Sequence, residues 1–422
     1  MDSVSYSIRY NPNKSTFPIG DNVPWEKAAI FIEQKEFILD PDWHAGAYYV
    51  QESNSMFLGY ILEQIQVQKS AQIVLDVCAA PGGKSTHILD KINKDSILIS
   101  NEILPKRNNI LRENLIRWGN PNIIVTQNDT KDFKSLNNYF DLVVLDAPCS
   151  GEGLLRKKPE LAVEFTPENI EKCAIRQKEI IDNIKNTVKQ NGYLVYSTCT
   201  FQTCENEDQV QYLLDNGFEI VPIDITQFPE ITIGKIPHTY YFSFEKTKGS
   251  GFFIACLKKV DTTQNIPSNF YDYSRKNQIS EVKFNEAEKW IKNSATFKYF
   301  TFKNNIFSFP KIFDSVLNII QTHLYITYFG IEIGELKKNI FIPTHNLALS
   351  NYLQTDLPTI EINKPTALQF LRKQNIEKET INSLNFSGWV LLSYNQHCLG
   401  WVKILQDRIN NYLPNNWRIL KS

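Results

Sequence analysis

Two short stretches combine residues that could perform group transfer. An apolar run over Phe140–Ala147 ends in Asp146-Ala147-Pro148-Cys149, and a second over Gly192–Thr198 ends in Ser197-Thr198-Cys199-Thr200. A cysteine taken singly is more often a small buried hydrophobe than a nucleophile. Two cysteines at the ends of strands that should be neighbours, with an aspartate beside them, suggest a specific reaction. Carbon 5 of a pyrimidine is a poor nucleophile until a thiolate adds to carbon 6, which makes the ring an enamine able to attack an electrophilic methyl group. The proton at carbon 5 must then leave and the thiolate be expelled. One cysteine attacks, a second assists release, and Asp146 holds or protonates ring nitrogen 3. Residue chemistry alone leaves Cys149 and Cys199 equally suited to either thiol role.

Such a reaction needs a methyl donor, and Asp76–Leu89 (DVCAAPGGKSTHIL) has the composition of a nucleotide-type binding turn. Ile73–Val77 is the apolar run of a buried parallel strand, and Ala79-Ala80-Pro81-Gly82-Gly83 lack side chains that would keep a ligand off the backbone. Gly82–Thr86 resembles the tail of a phosphate-binding loop, but that motif requires glycine where Cys78 stands, and no GxGxxG fingerprint is present. Glu102 closes the next strand, placed to bind a ribose hydroxyl pair, and Asp129 closes the third, placed near an adenine edge. With Asp76 and Asp146 ending neighbouring strands, the spacing suits S-adenosylmethionine.

These residues need a sheet to carry them. Apolar runs at Ile73–Val77, Ile97–Glu102, Ile123–Asp129, Phe140–Ala147, Gly192–Thr198, Phe218–Ile223 and Gly251–Lys258 alternate with helical patterns at Leu104–Trp118, Pro167–Lys189 and Glu205–Leu214. The alternation predicts an α/β, Rossmann-like, doubly wound, seven-stranded sheet whose ligand lies beyond the carboxyl ends of its strands. Residues 1–66 form a lead-in subdomain, 67–260 the catalytic domain, 261–281 a polar linker, and 282–422 a mainly β region. In the last region a helix near Asn285–Lys292 precedes β-like runs at Tyr299–Lys303, Tyr325–Ile331, Gly388–Tyr394 and Cys398–Ile404.

Composition narrows the class. The 422 residues are 42% hydrophobic and 22% charged, which is ordinary for a globular chain and too long for one core. Apolar runs stop short of the roughly 20 residues that span a bilayer, no leader pattern opens the sequence, and seven cysteines without a CxxC pair suggest a reducing compartment. A cytoplasmic protein without a metal site or membrane partner is expected, and nothing demands more than a monomer. A net charge of −1 argues against nucleic-acid binding by bulk electrostatics, so any such binding must be local.

The motifs AGAYYVQESNSM (Ala45–Met56), DVCAAPGGKSTHIL, DAPCSGEGLLRK (Asp146–Lys157), YSTCTFQTCENE (Tyr196–Glu207) and GFFIACLKK (Gly251–Lys259) resemble the Nol/Nop/Sun family of RNA cytosine-C5 methyltransferases. Gly388–Leu420 is similar to the PUA-like tail of the bacterial 16S rRNA methyltransferases of the RsmF (YebU) type. The resemblance implies a cytoplasmic, S-adenosylmethionine-dependent enzyme acting on RNA, with 16S rRNA or the small ribosomal subunit preferred and tRNA the alternative. It implies Cys78, Ala79, Ala80, Pro81, Gly82, Gly83, Lys84, Glu102, Asp129 and Asp146 as cofactor contacts, Cys199 as nucleophile and Cys149 as the residue promoting release. Asp146 would touch both cofactor and cytosine, and Lys84 would lie near the base or lower a thiol pKa. Cys204, Cys173, Cys256 and Cys398 have no implied role and read as packing residues.

The chain departs from the family pattern in opening close to the SIRxNP stretch, where members carry a helical segment first, and in a longer Ile233–Gly251 segment bearing Lys246 and Lys248. For RNA contact, Arg156-Lys157-Lys158 follow the Cys149 loop. Beyond Trp401, Lys403, Arg408, Arg418 and Lys421 oppose only Asp407, a local net of +3 interleaved with Trp401, Tyr412 and Trp417. A non-catalytic ribosome-assembly factor is the rival from another class, which intact Cys149 and Cys199 oppose. A DNA cytosine methyltransferase would share the Pro-Cys loop without needing Cys199.

Overall fold

The computed structural model describes residues 6–17, 20–33, 36–154, 165–261, 271–338, 340–381 and 386–420. Its centre is a ten-stranded sheet built from β1 (Ile73–Asp76), β2 (Ile97–Asn101), β3 (Ile123–Thr126), β4 (Phe140–Asp146), β5 (Val188–Thr198), β6 (Phe218–Ile220), β7 (Thr232–Ile233), β8 (Thr239–Phe242), β9 (Phe252–Lys259) and β10 (Ile326–Phe329). The order is β7-β8-β9-β5-β4-β1-β2-β3-β10, with β6 also paired to β9. From β5 to β3 the strands are parallel, and β9 and β10 flank them antiparallel. The order turns between β1 and β4, which puts the ligand crevice at their carboxyl ends.

The parallel strands are continuous apolar runs because helices cover both faces. Val74, Leu75, Leu98, Ile99, Val143 and Val144 are fully buried, each contributing ~1.5–3 kcal/mol. The main covering helices are α1 (Gly83–Lys91), α2 (Pro105–Trp118), α3 (Pro167–Ile184) and α4 (Glu207–Leu214). α3 starts where the sequence supplies both a cap and a preset φ: the Thr166 side chain accepts from the Asn169 amide, and Pro167 is the first helical residue.

All seven expected strands belong to this sheet, and three more join it. β7 and β8 come from the long Ile233–Gly251 segment and its approach. β10 comes from the Tyr325–Ile331 run, which the sequence assigned to the C-terminal region, and it pairs with β3. Two strand ends also shift. β2 stops at Asn101 and β3 at Thr126, so Glu102 and Asp129 sit in the loops beyond them.

The lead-in is a four-stranded antiparallel sheet of Asn22–Val23, Glu26–Ile32, Tyr6–Tyr10 and Tyr48–Val50. Arg9 fastens it to α1. Its guanidinium is fully buried, paired with Asp90, and donates to Gln51 Oε1 (2.8 Å) and Thr86 Oγ1 (2.6 Å). A buried cation needs such a full set of acceptors.

Of the expected linker 261–281, residues 262–270 lie outside the described residues, while Ser274–Asn277 is a helical turn and Ser280–Val282 a strand. That strand opens a five-stranded antiparallel sheet with Phe297–Phe302, Asn305–Pro310, Ile331–Lys337 and Ile340–Pro343. A four-stranded sheet of Thr359–Glu361, Gly388–Tyr394, His397–Ile404 and Ile409–Asn411 ends the chain. No helix among the described residues is long and apolar enough to cross a membrane.

Candidate active site

A cleft of about 370 Å³ opens at the carboxyl ends of β1, β4 and β5, with Asp76, Ala80, Lys84, Asp146, Cys199 and Phe252 among its walls. A second cavity, about 200 Å³, lies beyond β2 and β3 and is lined by Glu102, Arg107, Asn128 and Asp129. Cys78 borders both. The first thus carries Asp76 and Asp146 beside the Cys199 thiol, and the second carries Glu102 and Asp129.

The thiol end follows from strand register. Asp146 of β4 is paired with Ser197 of β5, so the loops leaving the two strands start side by side. Cys149 and Cys199 therefore meet, with their sulfurs 3.0 Å apart and the Cys199 amide donating to Cys149 Sγ at 3.3 Å. Hydrogen bonding to Cys199 and burial hold the Cys149 thiol well above its ordinary pKa. Cys199 is the one that lines the cleft. Two glycines permit this close approach. A Cβ on Gly153 would lie 2.5 Å from the Gly251 carbonyl oxygen and 2.8 Å from that of Cys199, and the Gly153 amide donates to the Cys199 carbonyl at 2.8 Å.

Asp146 is held from both sides. Its Oδ2 pairs with Lys84 Nζ at 2.8 Å and its Oδ1 accepts from Ser197 Oγ at 2.8 Å. Lys84 thus pairs with Asp146 in a wall of the cleft that Cys199 also lines, and its ammonium lies 5.2 Å from the Phe252 ring centroid. The turn before it is shaped by Gly82, whose φ of 113° only glycine adopts readily, so that α1 begins at Gly83 beside the ligand path. Ala79, Ala80, Pro81 and Gly83 line the cleft itself. Burial pushes the Cys78 thiol up to about 12, which keeps it protonated and inert.

Asp76 is the residue whose environment most demands a partner. It is fully buried. Its Oδ2 accepts from Ser85 Oγ at 2.6 Å, and its Oδ1, inside the cleft wall, has no hydrogen-bond partner. Burial raises its pKa to about 7. An orphaned buried carboxylate oxygen fits the ammonium group of S-adenosylmethionine. Glu102 at the far end is buried, accepts from the Leu104 amide at 2.9 Å and lies 3.3 Å from Arg107. Asp129 is more exposed and caps the turn over Thr130–Ser135 through the Lys131 amide. The donor set therefore fits the cofactor, with Asp76, Glu102 and Asp129 available to its polar groups and the Ala79–Gly83 turn to its backbone-facing edge.

Several wall residues were not expected as site residues. Tyr49, Gln51 and Ser55 of the lead-in face the cleft, and Glu52 accepts from the Ser250 amide at 2.6 Å, closing that side against the start of β9. They lie inside the AGAYYVQESNSM motif, which was the available signal. The Ile233–Gly251 segment also docks against the lead-in. Lys248 pairs with Asp21 at 2.6 Å and Lys246 donates to Thr232 Oγ1.

In the tail, Trp401 is 1% and Trp417 8% exposed, so both are core residues and not base-stacking platforms, and Trp401 Nε1 donates to the Thr344 carbonyl. Arg156, Lys157, Lys158 and Lys421 lie outside the described residues.

Residues 64–258 match the family described as 16S rRNA methyltransferase RsmB/F, and residues 357–419 match the methyltransferase RsmF PUA domain. The first match spans most of the central sheet and the second the terminal four-stranded sheet. The chain is 30% identical to the ribosomal RNA small subunit methyltransferase F of Psychromonas ingrahamii, over 93% of this chain and 84% of the relative. It is 28% identical to that of Aeromonas salmonicida, over 94% of this chain and 86% of the relative. Among solved structures, a methyltransferase homolog protein from Pyrococcus horikoshii matches with a TM-score of 0.52 and 27% identity, over 61% of this chain and 88% of that one.

Proposed function

The chain belongs to the 16S rRNA methyltransferase RsmB/F family of S-adenosylmethionine-dependent enzymes, and from that premise we propose that it methylates carbon 5 of a cytosine in 16S rRNA through a covalent Cys199 adduct. The observation that carries this reading is the pair of thiols 3.0 Å apart at the mouth of a cleft that also holds Asp146 and Lys84. A methyltransferase acting on an exposed heteroatom has no use for two adjacent thiols. One forming an enamine at carbon 5 uses both.

Cys199, which lines the cleft, attacks carbon 6 as the thiolate. Asp146, fixed by Lys84 and Ser197, meets the ring at nitrogen 3, delivers a proton there as negative charge develops on the ring, and takes it back when the ring is restored. S-adenosylmethionine, when bound, supplies the electrophilic methyl group. After methyl transfer the carbon 5 proton leaves to solvent water, and the electrons of that bond form the 5,6 double bond as the bond from carbon 6 to sulfur breaks. Cys149, with its Sγ 3.0 Å from that of Cys199, donates its hydrogen to the departing sulfur and regains a proton from solvent. A paired target cytosine must first leave its stack, at a cost of a few kcal/mol. The enzyme works in the cytoplasm, where subunits are assembled.

The test is transfer of labelled methyl groups to assembled small subunits, naked 16S rRNA and bulk tRNA side by side. Label in subunits or rRNA at a bisulfite-resistant cytosine is the expected result, and label only in tRNA would overturn the substrate. Cys199→Ala should lose turnover entirely, whereas Cys149→Ala should accumulate a slow-migrating protein–RNA species in the presence of the donor. Full turnover by Cys199→Ala would refute the mechanism.

A further inference from the structure

Two buried or half-buried carboxylates outside the reacting set join the cysteine loops to each other. Glu205, six residues after Cys199, is fully buried and reaches across to the other loop. It accepts from the Ser150 amide at 3.0 Å, from the Ser150 hydroxyl, and from Gln177 Nε2 at 2.9 Å, and Gln177 in turn donates to the Pro148 carbonyl at 3.0 Å. Glu152, three residues after Cys149, reaches back the opposite way. Its Oε2 accepts from the Phe201 amide at 3.2 Å and from Gln202 Nε2 at 2.8 Å. Between the two carboxylates, Ser150 Oγ and Thr200 Oγ1, each next in sequence to a cysteine, are 3.1 Å apart.

We propose that Glu205 and Glu152 form a reciprocal clasp that sets the Cys149–Cys199 spacing and so governs adduct release, not methyl transfer. Each carboxylate originates on one cysteine loop and is satisfied by donors on the other. The Ser150 and Phe201 amides each donate to the carboxylate that comes from the other loop, and a side chain with no oxygen in that place leaves a partly or fully buried donor unpaired. Alanine in either place removes the tie and lets the loops part. Attack on carbon 6 requires only Cys199 in the cleft. Proton donation to its departing sulfur requires Cys149 within hydrogen-bond reach, and that distance is what the clasp holds. The two glutamates act through the cysteines and are positioning residues.

This inference rests on the adduct chemistry proposed above, and the experiment separates the two. Glu205→Ala, Glu152→Ala and Ser150→Ala are compared with wild type and with Cys149→Ala in single-turnover reactions on 16S rRNA, following methyl incorporation and the covalent species on denaturing gels. Misplacement by about 1 Å costs on the order of 100-fold in a positioned step. Adduct decay should therefore slow at least ~10-fold in the clasp variants, while the first methyl transfer changes by less than ~3-fold. Tyr196→Phe removes the hydroxyl that donates to the Glu205 backbone carbonyl and leaves the clasp side chains in place, so it should lower stability without accumulating adduct. Adduct from Cys149→Ala but none from the three clasp variants would overturn the clasp. Equal slowing of methyl transfer and decay would reduce Glu205 and Glu152 to structural supports and also overturn it. Absence of adduct even from Cys149→Ala would refute the parent mechanism instead. Ser150→Ala, which leaves both carboxylates intact, keeps the test valid if a glutamate variant fails to fold.

Discussion

Replacing Asp76 by Asn should strengthen the fold and weaken the cofactor, and the pH dependence of the first effect is calculable. Asp76 is fully buried at the end of β1, and burial lifts its pKa from 3.8 to about 7, with Asp146 and Glu102 adding to the lift and the Ser85 hydrogen bond and Lys84 opposing it. Below pH ~4 the carboxyl is protonated in both folded and unfolded chains, so the substitution changes nothing by this route. As pH rises, the unfolded chain ionises first, and the folded chain must later ionise the group inside the cleft wall. At ~1.4 kcal/mol per pH unit, the native state has lost up to ~4 kcal/mol by pH 8.

Asn keeps the shape and the Ser85 bond and carries no charge. Denaturant unfolding of both proteins without cofactor should therefore give a stability difference close to zero at pH 4 that grows to as much as ~4 kcal/mol in favour of the variant at pH 8. Calorimetric titration at pH 8 should show S-adenosylmethionine binding at least ~10-fold more weakly to the variant, since a charge-assisted contact is worth ~1.5–3 kcal/mol. A stability difference independent of pH would refute the burial argument, and undiminished affinity would remove Asp76 from the cofactor site.

If Glu102 meets the ribose hydroxyls, Glu102→Ala should weaken S-adenosylmethionine binding by ~10- to 100-fold in the same titration, since hydrogen bonds to a carboxylate are worth ~1.5–3 kcal/mol; unchanged affinity would refute the ribose assignment. Trp401→Ala should cost ~3–5 kcal/mol of stability in a denaturant melt, as loss of a fully buried indole in the core, and should leave RNA affinity unchanged at temperatures where the variant is folded. A selective loss of RNA binding at undiminished stability would restore it as a stacking platform.

The parallel core and the reactive loops were legible because their signals are local. Ile73–Val77 and Phe140–Ala147 are uninterrupted apolar runs, and Cys149 and Cys199 stand just past the ends of such runs, so adjacency of two strands was enough to bring the thiols together. What escaped depends on distant partners. Nothing around Ile326–Phe329 says that its edge will pair with β3, a strand about 200 residues earlier, because strand pairing is a property of both edges. Lys84 is ambiguous in the chain, since a lysine after a glycine turn can reach a thiol or a carboxylate, and only the fold puts Asp146 within 2.8 Å. Trp401 and Trp417 are ambiguous in the chain for a related reason: aromatic residues among cations suit both a packed β core and an RNA surface, and burial decides for the core. The inward reach of Tyr49 and Gln51 likewise depends on how the lead-in sheet leans on α1, which Arg9 helps to set by donating to both Gln51 Oε1 and Thr86 Oγ1.

β10 has a bearing on where this chain can be divided. Its strand is hydrogen-bonded into the catalytic sheet, flanked by the Gln127 amide donating to the Tyr325 carbonyl and the Gly330 amide to that of Ile123, and Thr327 Oγ1 donates to Asn108 of α2. The two sides of the polar stretch after residue 260 thus share one sheet. A chimera that exchanges tails between relatives at that stretch would strip the catalytic sheet of its edge strand, and a seam just past Phe329 would still part the Gly330 amide from the Ile123 carbonyl and the Asn351 amide from that of Gly119.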